Sequence, residues 1–244
     1  MKFRLILDGY RNAYENMAID EAFLIYGKPT LRFYKWKPSA ISIGYFQSME
    51  EEVNIEECRK HGIDVVRRIT GGGAVYHDEN GEITYSFICP QNFMPSNILK
   101  TYKVICSALS QGLQFLGMEA KHSGINDVVV NGKKISGSAQ TRKYGNILQH
   151  GTILLKVNVE KMFSLLRVSK EKIKDKAIKS AKKRVTSIKD EIGKVNEKEV
   201  IESLVRGFEE IGIEFYEESM EEKEEKEAKR LVKKYESKEW NFKR

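Results

Sequence analysis

The chain has 244 residues, of which 41% are hydrophobic and 32% are charged, so it can bury a full core and is not disordered throughout. No run approaches the roughly 18 uninterrupted apolar residues of a spanning helix, and the N-terminal residues do not resemble a signal peptide. We therefore predict a cytoplasmic protein with no membrane partner. Its three cysteines, Cys58, Cys89 and Cys106, lie inside predicted elements, which indicates reduced thiols.

The formal charge of +7 is concentrated in one segment. Residues 170–189 contain nine Lys or Arg against two Asp or Glu, which equals the excess of the whole chain. A local basic segment favours one anionic ligand or partner, whereas duplex nucleic acid is usually bound by a broader patch, so we predict no nucleic-acid partner. A solvated face without function is the alternative.

Periodicity predicts strands and helices that alternate along the chain without a repeat. In order, we expect a strand at 3–7, a helix ending at Gly27, strands at 31–36 and 40–46, a charged helix from about Glu50 to Gly62, strands at 64–69 and 83–88, a helix at 96–116, a hairpin at 127–140, a strand at 147–155, a lysine-rich helix from Asn158, and two helices flanking a strand at 213–217. This order predicts an α+β fold with a largely antiparallel sheet and surrounding helices. The last helix keeps an apolar stripe at Ala228, Leu231, Val232 and Tyr235, so it should pack on another surface.

The segment RRITGGGAVYHD, residues 67–78, is the first with chemical content. Three consecutive glycines let backbone amides approach an anion or a flat ligand, and two arginines precede them. The spacing fits neither a P-loop nor a dinucleotide-binding loop. A tight bend without a ligand, and a hydrogen-bonded core histidine at His77, remain the alternatives.

The second segment is the hairpin NDVVVNGKKISGSAQ, residues 126–140, which turns at Asn131-Gly132. Strand alternation places Lys133 and Lys134 on opposite faces. If Lys134 points inward, its ammonium could hold a carboxylate beside a phosphate and stabilise developing negative charge. Asp127 could bind Mg²⁺. An exposed lysine and a turn aspartate remain the alternative.

The third segment, Gln149-His150-Gly151-Thr152, places polar groups inside an apolar strand, which indicates the close approach of a ligand. Cys58 and His61 are one helical turn apart, but no second pair has ligand spacing, so structural zinc is disfavoured. A nucleophilic pair of Cys89 or Cys106 with a histidine is open, although buried inert thiols fit better.

Together these motifs resemble the lipoate protein ligases, within the wider group of biotin and lipoate ligases and octanoyltransferases. The similarity includes RFY and GYFQ near the start, the three segments above, the RVTSI that ends the basic segment, and the terminal EWNFKR. It covers most of the chain and implies one catalytic domain of the biotin and lipoate ligase type over residues 1–244.

The resemblance also implies roles for individual residues. Lys134 is implied as the catalytic lysine that contacts the lipoyl carboxylate and the α-phosphate, with Lys133 as a less important neighbour. The residues implied for the acyl pocket are Arg68, Thr70, Gly71, Gly72, Gly73, His77 and His150. Those implied for the nucleotide are Asn126, Asp127, Lys134, Lys182, Arg184 and Thr186, with Mg²⁺ on Asp127.

The function implied is that of an ATP-dependent lipoate protein ligase. Lipoate or octanoate would react with ATP to give acyl-AMP and pyrophosphate, and a lysine of a lipoyl domain would then take the acyl group. The acceptor would be of the 2-oxoacid dehydrogenase E2 or glycine cleavage H protein type.

The main alternative is an octanoyltransferase, which moves octanoyl from acyl carrier protein to lipoyl domains through an enzyme cysteine and without ATP. The loop before the hairpin, KHSGIN, contains no cysteine, and for this reason we favour the ligase and expect a triple Cys→Ser variant to stay active. A biotin ligase is disfavoured because a GRGR-type run is absent. A silent carrier-binding protein is a further alternative.

Many lipoate ligases continue into a small accessory domain, whereas this chain ends at the catalytic-domain ending EWNFKR. We therefore expect no C-terminal accessory domain but a separate small accessory subunit in a heterodimer. The subunit would cover the apolar stripe of the last helix and order the basic segment from Lys170 to Lys189.

Overall fold

The computed structural model describes residues 1–167 and 171–243, which form two sheets with helices around them. The strands are β1 (Lys2–Arg11), β2 (Thr30–Trp36), β3 (Ala40–Ile43), β4 (Asp64–Arg67), β5 (Val75–His77), β6 (Glu82–Pro90), β7 (Ala120–Ser123), β8 (Asp127–Val130), β9 (Lys133–Lys143), β10 (Asn146–Leu154) and β11 (Glu214–Glu217). The helices are α1 (Ala13–Tyr26), α2 (Met49–Glu52), α3 (Ile55–Lys60), α4 (Ile98–Phe115), α5 (Val159–Leu165), α6 (Glu171–Arg184), α7 (Ile188–Ile192), α8 (Glu197–Glu209), α9 (Glu222–Glu236) and α10 (Lys238–Asn241).

The larger sheet has the strand order β11-β1-β2-β6-β10-β9-β8-β7, and the smaller one has the order β4-β3-β5. All pairs from β2 to β7 are antiparallel, whereas β1 pairs in parallel with both β2 and β11. The predicted α+β fold with a largely antiparallel sheet is therefore confirmed. The parallel edge arises because α1 is a crossover that returns β2 to run in the direction of β1.

Helices cover both faces of the larger sheet. On one face, α4 and α8 pack Leu109 and Phe208 against Phe87 of the central strand β6. On the other face, α1 lies between the sheet and α9, and ten of its fourteen residues are buried. Asn12 caps the start of α1 and Gly27 ends it with a left-handed φ of 68°, as the glycine stop predicted.

The apolar stripe of α9 is covered within this chain. Ala228, Leu231 and Tyr235 are buried in the cluster that contains α1, and Val232 packs against the same cluster. The prediction that this helix packs on another surface is confirmed. That surface is α1, so the stripe gives no reason to expect an accessory subunit.

Several elements differ from the predicted ones. The charged helix is two short helices, α2 and α3, because Val53 between them forms a bridge with Leu166. The lysine-rich helix is also two helices, α5 and α6, and Lys170 lies outside the described residues. Strands β5 and β7, of three and four residues, were not predicted. Among the described residues, no helix is both long and apolar enough to cross a membrane.

Candidate active site

A cavity of about 360 Å³ opens between the two sheets. Its apolar wall consists of side chains from α1, the strands and α5, namely Met17, Tyr34, Trp36, Val75, Leu154, Val159 and Met162. Its polar groups come from the glycine segment, the hairpin and β10. The volume lies within the roughly 300–1,000 Å³ typical of small-molecule sites, which are likewise mostly apolar with a few polar groups.

The glycine segment forms one wall of this cavity by close backbone packing. Gly44, just after β3, lies against Gly72, and a Cβ built on Gly44 would come within 1.9 Å of the Gly72 carbonyl oxygen. Gly72 itself has a φ of +95°, a backbone conformation that residues with a side chain rarely adopt. The glycines therefore serve a tight backbone arrangement, and Gly72 and Gly73 also line the cavity.

Arg68 holds the glycine segment in place from beneath. Its guanidinium donates to the carbonyl oxygens of Gly71 and Gly73, both at 2.7 Å, and to the carbonyl and hydroxyl oxygens of Ser42. Burial lowers the pKa of Arg68 to about 10. Among the described residues no carboxylate forms an ion pair with it, so the cavity wall contains a cation neutralised only by dipoles.

His77 is fixed by three contacts at the same wall. Its ring stacks on Trp36 with centroids 3.9 Å apart, Nδ1 lies 2.7 Å from a Glu82 oxygen, and Nε2 lies 2.8 Å from the Ser42 hydroxyl. Thr84 donates to the same Glu82 oxygen. Both ring nitrogens are thus engaged, and His77 shapes the cavity without a free nitrogen for proton transfer.

His150, on β10, belongs to a buried network with α1. Its Nδ1 lies 2.9 Å from Asp20 Oδ2, and its Nε2 lies 2.7 Å from the Thr70 hydroxyl. Burial alone would raise the pKa of Asp20, but the hydrogen bond from His150 and the charge of Arg32 outweigh it and lower the pKa. Because this carboxylate can only accept, Nδ1 carries the hydrogen and Nε2 accepts from Thr70.

Burial also lowers the pKa of His150 below its usual 6.5, more than the attraction of Asp20 raises it. A histidine with a depressed folded pKa stabilises the fold fully above its unfolded pKa, and this stability is lost as the pH falls. We expect the free energy of unfolding to decrease below about pH 6.5. Urea titrations from pH 8 to pH 5 would measure this, and His150→Gln should flatten the dependence. Equal slopes in the wild type and His150→Gln would contradict the assignment.

Lys134 lies at the open end of the cavity. Its side chain is 41% exposed, and its Nζ lies 2.6 Å from Asp127 Oδ1 across the hairpin. The prediction that Lys134 and not Lys133 faces the site is supported by the lining, but the ammonium is half-exposed and not buried. The register of the hairpin shifts here, because Ile135 of β9 is skipped in the pairing opposite Val128 and Val129, and this bulge sets the placement of Lys134.

Gly137 provides the space in which the Lys134 side chain lies. A Cβ on Gly137 would come within 2.5 Å of Lys134 Nζ, while the backbone itself would accept alanine. We expect Gly137→Ala to displace the ammonium and to lower the rate of the reaction at this site by roughly tenfold to a hundredfold, with little change in melting temperature. Steady-state rates would test this. On a Lys134→Ala background the same change should add almost nothing, and an additive loss would contradict the explanation.

A second polar network lies behind the hairpin. The Ser138 hydroxyl lines the cavity and lies 2.8 Å from the Tyr85 hydroxyl, which accepts a hydrogen bond from Gln149. Burial raises the pKa of Tyr85 far above its usual 10, so the phenol stays protonated. Cys106 lies behind this network, with its sulfur 3.9 Å from the Gln149 amide nitrogen, and is not among the residues that line the cavity.

The three cysteines are buried and protonated. Burial raises the pKa of Cys58 to about 11 and those of Cys89 and Cys106 to about 12. In the part of the chain that the structure describes, no thiol lines the cavity. A thiolate nucleophile therefore has no candidate at this site.

The structure brings most of the predicted site residues together. Those that line the cavity are Arg68, Gly72, Gly73, His77, Asn126, Lys134 and His150. Those close behind its wall are Thr70 and Gly71, which hydrogen-bond to His150 and Arg68, and Asp127, which pairs with Lys134. Thr186 donates its backbone N–H to the Lys134 carbonyl, whereas Lys182 and Arg184 lie exposed on α6, outside the cavity lining.

Sequence reasoning missed the residues that support this lining. Asp20, Arg32, Glu82 and Ser138 were not singled out, although Asp20 and Glu82 orient the two histidines. A signal was present for Asp20, because an acid on the buried face of an apolar helix needs a partner. The partner lies 130 residues away and could not be named from the sequence.

Asp127 was predicted to hold Mg²⁺, and the structure gives its carboxylate a different neighbour. Oδ1 is paired with Lys134, and no group of three or more His, Cys, Asp or Glu side chains suited to a metal occurs within residues 1–167 and 171–243. The donor set present therefore does not fit a bound divalent cation.

Comparison with known proteins identifies the class. The family model for the lipoyl protein ligase A/B catalytic domain matches residues 12–209, and the chain belongs to this family. Octanoyltransferase LipM of Clostridioides difficile is 37% identical, with 94% of each chain covered, and LipM of Geobacillus kaustophilus is 38% identical over 99% of this chain and 98% of its own. A bipartite lipoate protein ligase of Thermoplasma acidophilum, studied with its E2 lipoyl domain, has 36% identity and a TM-score of 0.92, with 99% and 96% covered.

The relatives correct the functional prediction. The family resemblance and the catalytic fold are confirmed, but the ATP-dependent ligase is wrong, because the curated relatives matched over nearly the whole chain are octanoyltransferases. ATP, Mg²⁺, a lipoyl-AMP intermediate and the heterodimer were predicted together with the ligase and are wrong with it. The absence of a cysteine from the loop KHSGIN therefore does not distinguish a ligase from a transferase.

Proposed function

We propose that this protein is an octanoyltransferase that moves an octanoyl group from a carrier-protein thioester to a lysine of a lipoyl domain without ATP. The names of its relatives support the transfer reaction, and the lipoyl domain of the bipartite neighbour supports the acceptor. The observation that carries the proposal is the Lys134 ammonium at the mouth of an apolar cavity. The acyl chain would fill the cavity and present its carbonyl carbon at the rim.

The chemistry needs a stabilised oxyanion and the exclusion of water. The acceptor amine attacks the thioester carbonyl, so that a C–N bond forms and the carbonyl oxygen becomes negative. The Lys134 ammonium, held by Asp127, stabilises that oxygen. When the tetrahedral intermediate collapses, the C–S bond breaks, and the leaving thiolate takes the proton that the amine loses.

We further propose that transfer is direct, without an acyl-enzyme. Three buried cysteines with raised pKa values support this step, since none lines the cavity. Direct transfer requires donor and acceptor to be bound at the same time, and the half-exposed position of Lys134 leaves the rim open to both. The earlier expectation that a triple Cys→Ser variant stays active therefore applies to octanoyl transfer as well.

The proposal is tested with octanoyl-acyl carrier protein and an unmodified lipoyl domain in the absence of ATP. We expect the intact mass of the lipoyl domain to increase by one octanoyl group. A parallel reaction with free octanoate and ATP should give no product. Product in the second reaction alone would contradict the proposed function, and an octanoylated enzyme trapped by acid quench would contradict direct transfer.

The remaining assignments follow from this function. The residues proposed to hold the acyl group are those at the cavity wall, above all Arg68, His77 and His150.

Residues 1–244 are proposed to act as one catalytic domain, since single hydrophobic clusters contain residues from both ends of the chain. A cytoplasmic location is proposed because the three cysteines are free and buried. The acceptor domain is proposed to be of the E2 or H-protein type.

A further inference from the structure

Residues 171–184 of the basic segment singled out in the sequence form the helix α6, whose outer face carries a row of lysines. Lys176, Lys179 and Lys183 are exposed and spaced by three and four residues, so they lie on one face of the helix. On the opposite side, Ala181 is buried. We call these three residues the α6 lysine row.

Among the side chains that the structure describes, no carboxylate neutralises the charges of this row. Among the described residues of α6, Lys182 forms an ion pair, with Glu160 on α5. No described carboxylate pairs with Lys176, Lys179 or Lys183. By contrast, α9 has lysines at the same spacing, Lys226, Lys229 and Lys233, but the first two are paired with Glu222 and Glu225 of the same helix.

The row leads directly to the reacting end of the cavity. After the last turn of α6, Val185 lines the cavity and forms a parallel bridge with Lys134. The next residue, Thr186, donates its backbone N–H to the Lys134 carbonyl oxygen at 2.9 Å. A protein docked on α6 would therefore reach the mouth of the cavity beside the catalytic ammonium.

We propose that the α6 lysine row docks a negatively charged carrier protein that delivers the octanoyl thioester; this inference rests on the proposed transferase function. Charge complementarity identifies the occupant as the donor. The acceptor must present a lysine, which a row of unneutralised cations repels, whereas the donor presents a neutral thioester on an arm that carries a phosphate. Such a surface raises the rate of encounter more than it raises the strength of the final complex.

The test compares two donors for the same transfer reaction. The variant Lys176→Glu/Lys179→Glu/Lys183→Glu is assayed with octanoyl-acyl carrier protein and with the octanoyl thioester of N-acetylcysteamine, a small neutral thiol. We expect KM for the carrier to rise roughly tenfold or more, with kcat and the rates for the small thioester unchanged. The wild-type advantage for the carrier should disappear at high salt.

The matched control is the same reversal on α9, Lys226→Glu/Lys229→Glu/Lys233→Glu, which has the same spacing and exposure and should leave KM for the carrier unchanged. An unchanged carrier KM in the α6 variant would overturn the docking proposal. The proposal would also be overturned if the α6 variant lost equal activity with both donors, or if its KM rose for the lipoyl domain. The same holds if the variant kept its carrier KM but lost binding to duplex DNA or to anionic vesicles. If the wild type transferred octanoyl from neither the carrier nor the small thioester, the transferase function and the docking proposal would both be overturned.

Discussion

Replacing Lys134 by alanine should reduce octanoyl transfer by on the order of a hundredfold or more in kcat while the protein stays folded. The ammonium is the cation at the cavity mouth that can reach the oxygen on which negative charge develops. Loss of the ammonium should change the free energy of unfolding little, because Lys134 and its partner Asp127 are both partly exposed, and such pairs contribute about 1 kcal/mol or less. Steady-state rates and thermal unfolding of the same preparation measure both effects.

Lys133→Ala is the matched control for this prediction. Lys133 is the adjacent residue of β9, but it is exposed and does not line the cavity. We expect its rate to stay within about twofold of the wild type, as for most surface changes away from a site. If both variants lost activity equally, the assignment of the reacting face to Lys134 would be wrong.

The sequence predicted this hairpin because its information is local. Asn131-Gly132 specifies a tight turn. A run of β-branched valines precedes it and a strand-like run follows it, so the pairing of β8 with β9 follows from nearby residues. The bulge at Ile135, opposite Val128 and Val129, is not visible in the alternation, and it affects how Lys134 is placed. The face was therefore predictable, whereas the exposure of the ammonium was not.

The supporting networks depend on long-range contacts that a single sequence does not encode in a readable form. Asp20 meets His150 from a different element, and Glu82 meets His77 across a loop. The basic segment was found from its charge alone, but its relation to Lys134 comes from the bridge at Val185. Function was mispredicted because ligases and transferases share the fold and most motifs, so one absent cysteine was made to decide between them.

The largest loss of stability is expected from Arg32, on β2. Its guanidinium is fully buried and donates to Asp20 Oδ1 at 2.9 Å and to Asp8 Oδ2 at 2.5 Å. It also lies 3.9 Å from the centre of the Tyr34 ring. Removing this cation leaves the buried Asp20 carboxylate without its cationic partner and the half-buried Asp8 with Arg11 alone. The cost of an uncompensated buried charge is about 3–5 kcal/mol.

We therefore expect Arg32→Met to lower the free energy of unfolding by about 3–5 kcal/mol in urea titrations. Arg11→Met is the control, because Arg11 pairs with the same Asp8 but its side chain is 35% exposed, so its loss should cost about 1 kcal/mol or less. Adding Asp20→Asn to Arg32→Met should recover part of the stability, since one buried charge is then removed. Similar losses for Arg32→Met and Arg11→Met, or no recovery in the double variant, would show that the buried ion pairs do not carry this energy.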